Sequence, residues 1–573
     1  MSMESIRRFE SEVDSAVRAA LERIGAPDLK FTKEASDMAD LAVPCFGFSK
    51  DLRTDPKAIA EKLAANLTPA GLISSVRALN GYLNFMMDET ALIKETLERI
   101  IAEGSAYGSM PAKGIRINVE HTSTNPTGPI HVGRARNPII GDTLARSLKR
   151  CGYDVQTEYY VNDVGKQVVI LSWGVDNIPK GSVTEEDRDK TDHKLVAYYR
   201  EANKKMEEDG TVKERIAEML RRFEDGDEEV IGGVRKTAES MLEGLKETLA
   251  DINVELDRYT WESDFIMDGS AKDIVRRLKD SKYAGQTDDG AWYVDLKEFG
   301  IQGKNTKFTF TRSDGTTLYT TRDLAYHLDK FRRADRAVDV LGEDQKLGSK
   351  QLCSALEILG SEKVPEAMFY SFVSLPEGKM STRKGVVVYL DDLIDEAVSR
   401  AMNEIRSRRN DLSEEKMLDI ARKVGIGAIR YNIVRVHPEK QLVFKWDDAL
   451  NFDGNSGPYI QYVHARACSM LGKAGKYEHC TEPAAFADEY ERALIKVLSK
   501  FGSVLREAGE EKRVHILPAY GHEVAAAFNQ FYAMVPVLAS DESRDPRLTL
   551  VECTRTVLRN VLDCLGIDCP EEM

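Results

Sequence analysis

The chain has 573 residues, of which 42% are apolar and 31% are charged, a composition typical of folded globular proteins rather than of fibrous or disordered chains. No stretch approaches the roughly 18 consecutive apolar residues of a membrane-spanning helix, and the first thirty residues mix acids and bases on a helical period, unlike a secretory leader. We therefore expect a cytoplasmic protein that does not associate with membranes. Eight scattered cysteines without a C-x-x-C pair predict neither a disulfide framework nor a zinc site. A formal net charge of −15 argues against indiscriminate nucleic-acid binding but leaves room for a local basic groove.

Residues 1 to 110 are predicted to form a separate α+β module. An amphipathic helix comes first, and alternating apolar residues and further helical periods follow it. The run RALNGYLNF lies near the end of this module, and its Asn80, Tyr82 and Asn84 form a polar and aromatic tip.

A β-loop-α-β pattern begins at GIRINVEHT (114–122) and is typical of a doubly wound, Rossmann-type sheet. Helical periods then dominate, and strand-like runs return at AWYVDL, KFTFT, RAVDVLG and MFYSFVSL. We predict an α/β domain over residues 111–390, with a helical insertion at about 165–290 that splits its sheet. A helical connector (391–445) and an all-helical C-terminal domain (446–573) are expected to follow.

The loop NPTGPIHVGRARN (125–137) lies between the first strand and first helix of that domain. Gly128 and Gly133 allow a tight turn, and His131 and Arg134 add donors where the free N–H groups of a helix start attract anions. The loop therefore predicts a phosphate site. Taken alone, it also fits a glycine-eased turn with a solvated histidine.

A second loop, SLPEGKMSTRKG (374–385), carries Lys379, Arg383 and Lys384 after a strand and would close over a polyphosphate. Taken alone, it fits a solvated basic loop. The two loops together, in this order around a split sheet, resemble the paired HIGH and KMSKS signatures of class I aminoacyl-tRNA synthetases. Two positions depart from the signatures: Arg134 ends the first, and Thr382 stands fourth in the second.

The resemblance implies a Rossmann-type class I catalytic core with catalysis by His131, Arg134, Lys379 and Arg383. The ATP site that it implies is made of Gly128, His131, Gly133, Arg134, Lys379, Met380 and Ser381. Magnesium would enter bound to the ATP, and the sequence identifies no metal ligand.

The runs VEHTSTNPTGPIHVGRARNPIIGD, LYTTRDLAYH (318–327), LGEDQKL (341–347) and NSGPYIQYVHARA (455–467) together resemble arginyl-tRNA synthetases, as does the ending LGIDCPEEM. This resemblance covers nearly the whole chain and implies an arginine:tRNA ligase that activates L-arginine as its adenylate and transfers it to the terminal adenosine of tRNA(Arg). ATP is the co-substrate, no zinc is required, and we expect a monomer.

Arginine carries a planar fork of five N–H donors, so a selective pocket needs fixed carboxylates and acceptors. By resemblance, arginine would be bound by Glu120, Asn125, Tyr319, Asp323 and Gln345. The i, i+4 spacing of Tyr319 and Asp323 puts both on one helical face. Such a pocket rejects lysine and citrulline without proofreading, so no editing site is predicted.

The same resemblance predicts two tRNA-binding regions. Tyr462 and Arg466 lie four residues apart on a predicted helix, where a ring and a guanidinium would stack on or bond to anticodon bases, and Met573 would join them. Core aromatics of a helical bundle are the other interpretation. Asn80, Tyr82 and Asn84 resemble the family's reader of the tRNA elbow, and the family commonly needs bound tRNA before it activates its amino acid.

Two alternatives stay open on the sequence. A cysteinyl-like class I synthetase has a similar tail, but only three dispersed cysteines precede residue 400 and they do not favour its zinc site. A non-catalytic, synthetase-derived tRNA-binding protein is the other, and the presence of both phosphate loops and of the acidic residues argues against it.

Overall fold

The computed structural model describes residues 5–36, 38–184, 188–374, 376, 388–539 and 542–573. Lys379, Met380, Ser381 and Arg383 lie outside the described residues. No helix in the described part is long and apolar enough to cross a membrane. All eight cysteines are described, and each is a free thiol.

The N-terminal module packs helices against one antiparallel sheet with the strand order β1-β2-β4-β3. Its elements are α1 (Ser5–Arg23), β1 (Glu34–Ser36), β2 (Ala39–Pro44), α2 (Ser49–Leu52), α3 (Pro56–Ala65), β3 (Ile73–Leu79), β4 (Tyr82–Met87) and α4 (Glu89–Glu103). Leu79 pairs with Tyr82, so β3 and β4 are joined by the two-residue turn Asn80–Gly81. Both turn residues have positive φ, 53° and 83°, as the twist of a tight hairpin requires. The module has its own apolar core, centred on residues such as Phe9, Val17 and Phe85.

The central domain is built on a five-stranded parallel sheet with the order β12-β11-β5-β6-β7. Its elements up to β7 are β5 (Arg116–Glu120), α5 (Arg136–Arg150), β6 (Asp154–Val161), α6 (Lys166–Asn177), α7 (Thr191–Glu208), α8 (Gly210–Glu224), α9 (Glu228–Asp251) and β7 (Arg258–Trp261). The later elements are α10 (Asp264–Met267), α11 (Ser270–Lys279), β8 (Ala284–Gln286), β9 (Trp292–Asp295), β10 (Lys307–Thr309), α12 (Tyr319–Arg333), β11 (Arg336–Gly342), α13 (Lys346–Ile358) and β12 (Glu366–Tyr370). The chain leaves β5 towards β6 on one side and later returns to β11 on the other. A ligand crevice is therefore expected at the carboxyl ends of β5 and β11.

The predicted insertion at about 165–290 is wrong at its far end. Helices α6 to α9 do lie between two sheet strands and have their own apolar core, but β7 pairs with β6 in the central sheet. The runs AWYVDL and KFTFT supply β9 and β10 of a separate antiparallel sheet with the order β10-β9-β8. This small sheet packs with α11, α12 and α13 around Phe308, Phe310 and Leu324.

The rest of the chain is almost entirely helical. Its elements are β13 (Val373–Ser374), α14 (Leu390–Arg408), α15 (Glu414–Val434), β14 (Leu442–Val443), α16 (Trp446–Ala449), α17 (Gly457–Ala474), α18 (Glu489–Leu498), α19 (Phe501–Glu510), α20 (Ile516–Met534) and α21 (Arg544–Cys564). One continuous apolar core runs from β5 and α5 of the central domain through α15 into α17 to α21. The C-terminal helices are therefore packed directly onto the domain that carries the crevice.

Candidate active site

A cavity of about 380 Å³ opens at the carboxyl ends of β5 and β11, where the strand order predicts a ligand crevice. All five residues that the sequence pointed to as an arginine site line this cavity: Glu120, Asn125, Tyr319, Asp323 and Gln345. They come from β5, the loop after it, α12 and the turn before α13. Residues up to 225 positions apart in the sequence thus share one cavity, while their role in binding stays a prediction.

His131 begins a 3-10 turn, Val132–Arg134, that leads into α5. Its Nδ1 accepts the backbone N–H of Gly133 at 3.0 Å, so the ring proton sits on Nε2, which is left as a donor. Burial, helped by the charge of Arg134, lowers the pKa of His131 below its usual value, and the ring is therefore neutral at neutral pH. A β-carbon on Gly133 would lie 3.0 Å from that Nδ1, so only glycine fits without displacing the ring. Arg134 is exposed and lines the cavity.

Both flanks of the second predicted loop lie against this turn. After the loop, the N–H of Val132 donates to the carbonyl of Val388 at 3.0 Å, and the N–H of Leu390 donates to the carbonyl of Ile130 at 2.8 Å. Before the loop, the carbonyl of Val373 lies 3.5 Å from where a Gly133 β-carbon would be. Val373 and Val388, described residues before and after the part of the chain with Lys379 and Arg383, therefore both lie beside the His131 turn.

Asp323 is the carboxylate of α12 that reaches the cavity. Tyr319 begins α12 and Asp323 lies one turn later, as their spacing predicted. The Asp323 side chain is 32% exposed, and its Oδ1 is 3.1 Å from Nδ1 of His327. It is thus held on one side and open to the cavity on the other.

A buried ion cluster lies beneath these residues. The ammonium of Lys330, which is fully buried, donates to Asp339 at 2.7 Å and also to Glu120. Although burial lowers it, the two carboxylates raise the pKa of Lys330 above its usual value. Burial raises the pKa of Glu120, and Lys330 opposes that rise. Because a lysine already sits between these carboxylates, we interpret the cluster as an internal ion pair and not as a metal site.

Glu262 is a cavity residue that was not predicted as a ligand, and Arg322 is its buried partner. Glu262 lines the cavity and accepts from Nε of Arg322 at 2.5 Å, and both side chains are at most 3% exposed. Burial raises the pKa of Glu262 to about 7 against the opposing charge of Arg322. The sequence did offer one signal for this pair, which is Arg322 within LYTTRDLAYH. Most residues around it are uncharged, and a charge that becomes buried needs a partner of opposite charge.

Tyr462 and Arg466 meet on α17, as their spacing predicted. Nη2 of Arg466 donates to the Tyr462 hydroxyl at 3.0 Å, and its guanidinium lies 4.8 Å from that ring and 5.0 Å from the ring of Tyr532 on α20. Nη1 of Arg466 donates to Asn529 at 2.8 Å. Tyr532 is 45% exposed and was missed; its i, i+3 spacing from Asn529 was the available signal.

Of the other residues predicted to contact RNA, some lie where the prediction put them and some do not. Asn80 and Tyr82 lie at the β3–β4 turn, but Asn84 lies inside β4, where it pairs with Ala42 and Arg77, and is only 8% exposed, so we no longer assign it to the tip. Met573 packs against α14 and α15, and its carbonyl accepts from Nη1 of Arg409 at 2.7 Å. Tyr462 and Arg466 are thus in contact, as predicted, whereas the contacts of Met573 are with α14, α15 and Arg409.

The comparisons with known proteins cover the whole of this architecture. A family model described as "tRNA synthetases class I (R), catalytic domain" matches residues 96–446. The curated arginine–tRNA ligase of Methanocella arvoryzae is 47% identical over 529 residues, which cover 92% of each chain. The chain belongs to the arginine–tRNA ligase family.

Further matches within the arginine–tRNA ligase family extend over both ends of the chain. An arginyl tRNA synthetase N-terminal domain model matches residues 9–87, and a DALR anticodon-binding domain model matches 460–573. The arginine–tRNA ligase of Methanothermobacter thermautotrophicus is 40% identical over 573 residues, covering 99% of this chain and 100% of its own. The structure of Thermus thermophilus arginyl-tRNA synthetase superposes with a TM-score of 0.83 at 28% identity, covering 98% of this chain and 100% of that one.

These matches confirm the family resemblance and the Rossmann-type core with an N-terminal module and a helical C-terminal domain. The protein is an enzyme of the aminoacyl-tRNA synthetase class. The cysteinyl-like alternative is not supported.

Proposed function

We propose that this protein joins L-arginine to tRNA(Arg) at the expense of ATP. The observation that carries the proposal is the position of an acidic cavity, with Asp323 open to it, directly beside the His131 turn at the start of α5. One part suits a guanidinium and the other a polyphosphate. Neither alone would indicate an amino-acid activating enzyme.

Arginine would enter with its guanidinium towards Asp323, since a planar cation pairs best with a fixed carboxylate. Tyr319 lies one helical turn away and would border the guanidinium, while Asn125 and Gln345 would supply amide groups from other parts of the cavity wall. Glu120 is anchored by Lys330 and by the Ser123 hydroxyl, which donates to its Oε1 at 3.0 Å. Lysine lacks the planar fork and citrulline lacks the charge, so each would leave a polar wall group without a partner.

The first step would be attack of an arginine carboxylate oxygen on the α-phosphorus of ATP. That bond forms as the bond to the bridging oxygen of the β-phosphate breaks, giving arginyl-adenylate and pyrophosphate. His131 would donate from Nε2 and Arg134 from its guanidinium to the phosphate oxygens on which charge builds. Lys379 and Arg383 are proposed to add positive charge from the part of the chain between Val373 and Val388. ATP would enter as its magnesium complex, and we assign the metal no protein ligand.

The second step would be attack of the 2′-hydroxyl of the terminal adenosine on the carbonyl carbon of the adenylate. The ester bond forms, the bond to the phosphate oxygen breaks, and AMP leaves with the hydroxyl proton. This reaction uses no covalent enzyme intermediate, so the enzyme contributes position and charge stabilisation.

The tRNA would be bound by the N-terminal module and by the C-terminal helical domain of the protein. Tyr462, Arg466 and Tyr532 form an exposed ring–guanidinium–ring stack suited to unpaired anticodon bases, and the Asn80–Tyr82 turn would meet the tRNA elbow. We propose that the protein acts as a monomer. We place this action in the cytoplasm, and we expect arginine activation to require bound tRNA.

The test is ATP–pyrophosphate exchange with each of the standard amino acids, with and without tRNA. We expect exchange with arginine and a strong stimulation by tRNA(Arg). Exchange with cysteine or lysine alone would overturn the specificity, and no exchange or aminoacylation under any condition would overturn the function.

A further inference from the structure

The imidazole of His327 lies between two carboxylates at the floor of the arginine cavity. It is on the same face of α12 as Asp323, one turn further on, and is only 2% exposed. On its other side is Asp339 of β11, which also lines the cavity. The ring therefore connects the proposed guanidinium ligand to the central sheet.

Both ring nitrogens of His327 face oxygens that only accept. Nδ1 is 2.8 Å from the backbone carbonyl of Asp323 and 3.1 Å from its carboxylate Oδ1. Nε2 is 2.9 Å from Oδ2 of Asp339. A neutral imidazole carries one proton and would leave one nitrogen lone pair against a carboxylate or carbonyl oxygen. The three oxygen contacts are satisfied together only when both nitrogens carry a proton. The ammonium of Lys330 is a donor near Nε2, but at 3.4 Å it is farther away than the Asp339 oxygen at 2.9 Å, so the geometry indicates an imidazolium.

The charged groups around the ring agree with this protonation state. Burial and the ammonium of Lys330, 3.4 Å from Nε2, lower the pKa of His327, but the carboxylates of Asp339 and Asp323 outweigh them and raise it to about 10. Glu120 also accepts from Lys330, and one of its carboxylate oxygens lies within 4.8 Å of a His327 ring nitrogen. The edge of the Tyr326 ring completes the surroundings at 5.3 Å between ring centroids.

We propose that His327, as an imidazolium at neutral pH, is a positioning residue that fixes the Asp323 carboxylate for the guanidinium of arginine. It ties Oδ1 of Asp323 and leaves the exposed part of the carboxylate directed at the cavity. Asp339, itself held by Lys330, prevents the ring from turning. This inference rests on the proposed function and deepens it, because it names the group that sets the geometry of the amino-acid ligand.

The first test reads the protonation state directly and needs no variant enzyme to be active. Long-range ¹H–¹⁵N spectra of the full-length protein, labelled at histidine nitrogens, are recorded at about pH 8, where an unperturbed histidine is neutral. The signal that disappears in His327→Gln identifies the residue. We expect both of its nitrogens in the protonated range, whereas buried His464, whose pKa is lowered, gives the neutral pattern in the same spectrum. A neutral pattern for His327 would overturn the proposal.

The second test separates positioning from general damage. Glutamine offers a donor on one side only, so His327→Gln is expected to raise the KM for arginine about 10- to 100-fold, as expected for loss of a charge-assisted hydrogen bond. The KM for ATP, the KM for tRNA and kcat should change less than about threefold. His464→Gln, a buried histidine in α17, is the matched control and should leave all four constants unchanged.

The outcomes distinguish this inference from the proposed function. If the wild-type enzyme shows no arginine-dependent activity, the proposed function fails, whatever the spectra show. If the wild type is active but His327→Gln has an unchanged KM for arginine, or loses kcat and all affinities equally, the positioning role is wrong. If the variant does not fold, the wild-type spectrum at about pH 8 still tests the proposal, because the absence of any histidine with both nitrogens protonated would overturn it.

Discussion

Lys190 and Asp391 form a buried ion pair that joins the helical insertion to the first turn of α14. The ammonium lies 3.0 Å from Oδ1 of Asp391, and the two side chains are 9% and 3% exposed. Nε2 of His193 contacts the other carboxylate oxygen at 2.9 Å. Asp391 follows Tyr389 by two residues, and Tyr389 forms a backbone bridge with His131. The insertion therefore packs behind the backbone that holds the proposed phosphate-binding turn.

Lys190→Met should destabilise the protein strongly. It leaves Asp391, whose pKa His193 and Lys190 together hold at about 2 against burial, without its main cation. Breaking a buried pair on one side costs about 3–5 kcal/mol. Urea denaturation followed by tryptophan fluorescence measures the loss. Lys94→Met is the control, because the Lys94–Glu98 pair is exposed and 4.0 Å apart, and exposed pairs are worth about 0.2–1 kcal/mol. An equal decrease in the free energy of unfolding in the two variants would contradict the prediction that the buried pair contributes more than the exposed one.

Asp323→Asn should raise the KM for arginine about 100-fold with little change in the KM for ATP. Removing one partner of a charged, hydrogen-bonded pair costs about 2–5 kcal/mol, and each 1.4 kcal/mol is tenfold. Steady-state aminoacylation at varied arginine measures it. Asp329→Asn, on the same helix but paired with Arg333 at 2.9 Å, is the control and should behave as wild type. The assignment of Asp323 is lost if both variants have wild-type arginine affinity.

His131→Ala should slow adenylate formation about 100- to 1,000-fold, the range observed when one preorganised donor to a developing charge is removed. Arginine affinity should be kept, because His131 lies beside the phosphate site. Single-turnover rapid quench with labelled ATP resolves the step. His437→Ala is a close control: Nδ1 of His437 also accepts a backbone N–H two residues on, that of Glu439 at 3.2 Å, but His437 does not line the cavity. A normal adenylate rate in His131→Ala would exclude this role.

The stability that His327 contributes should fall as the pH rises. Its pKa is about 10 in the folded protein against about 6.5 in the unfolded chain. Its contribution is therefore complete below about pH 6.5 and is lost as the pH rises through about 10. The difference in Tm between wild type and His327→Gln should shrink over that range. His464→Gln should show the opposite slope, since burial lowers the pKa of His464 and its contribution is lost towards acid pH. A Tm difference for His327→Gln that is independent of pH would show that the ring is not charged.

Arg466→Ala should raise the KM for tRNA about tenfold and leave the KM for arginine unchanged. The guanidinium holds Tyr462 and Tyr532 in place, and stacking of one base on such a ring is worth about 1–3 kcal/mol. Arg276→Ala, on α11 of the central domain and paired with Asp273, is the control. Equal tRNA affinity in both variants would remove the C-terminal stack from the tRNA interface.

Local patterns predicted relative positions where one element carries both residues. The i, i+4 spacing of Tyr319 and Asp323 predicted that they share one face of a helix, as they do, but they were chosen as arginine ligands by family resemblance and that role stays a prediction. The loop from Asn125 to Arg134 was recognisable because the chain turns there between strand and helix. Glu120 lies 203 positions before Asp323 in the sequence. Only the family resemblance predicted that the two residues would share a cavity.

Long-range partners could not be read from the sequence. His327 and Lys330 continue the Asp323 face of α12. Their role became visible only from their contacts with Asp339 and Glu120, which lie on neighbouring strands. Strand β7 was missed because RYTW has only four residues after a long helical segment, and pairing with β6 decides its place. Asn84 alternates with Tyr82 as an outward residue would, yet it lies in a strand paired on both sides, by β2 and β3, and is buried.

The most direct test of the account is a crystal structure of the full chain with arginine and a non-hydrolysable ATP analogue. We predict the guanidinium within about 3.2 Å of the Asp323 carboxylate, with the analogue's phosphates at the His131 turn and the arginine carboxylate next to the α-phosphate. Arginine bound with Asp323 turned away, or with another side chain at its guanidinium, would contradict the account.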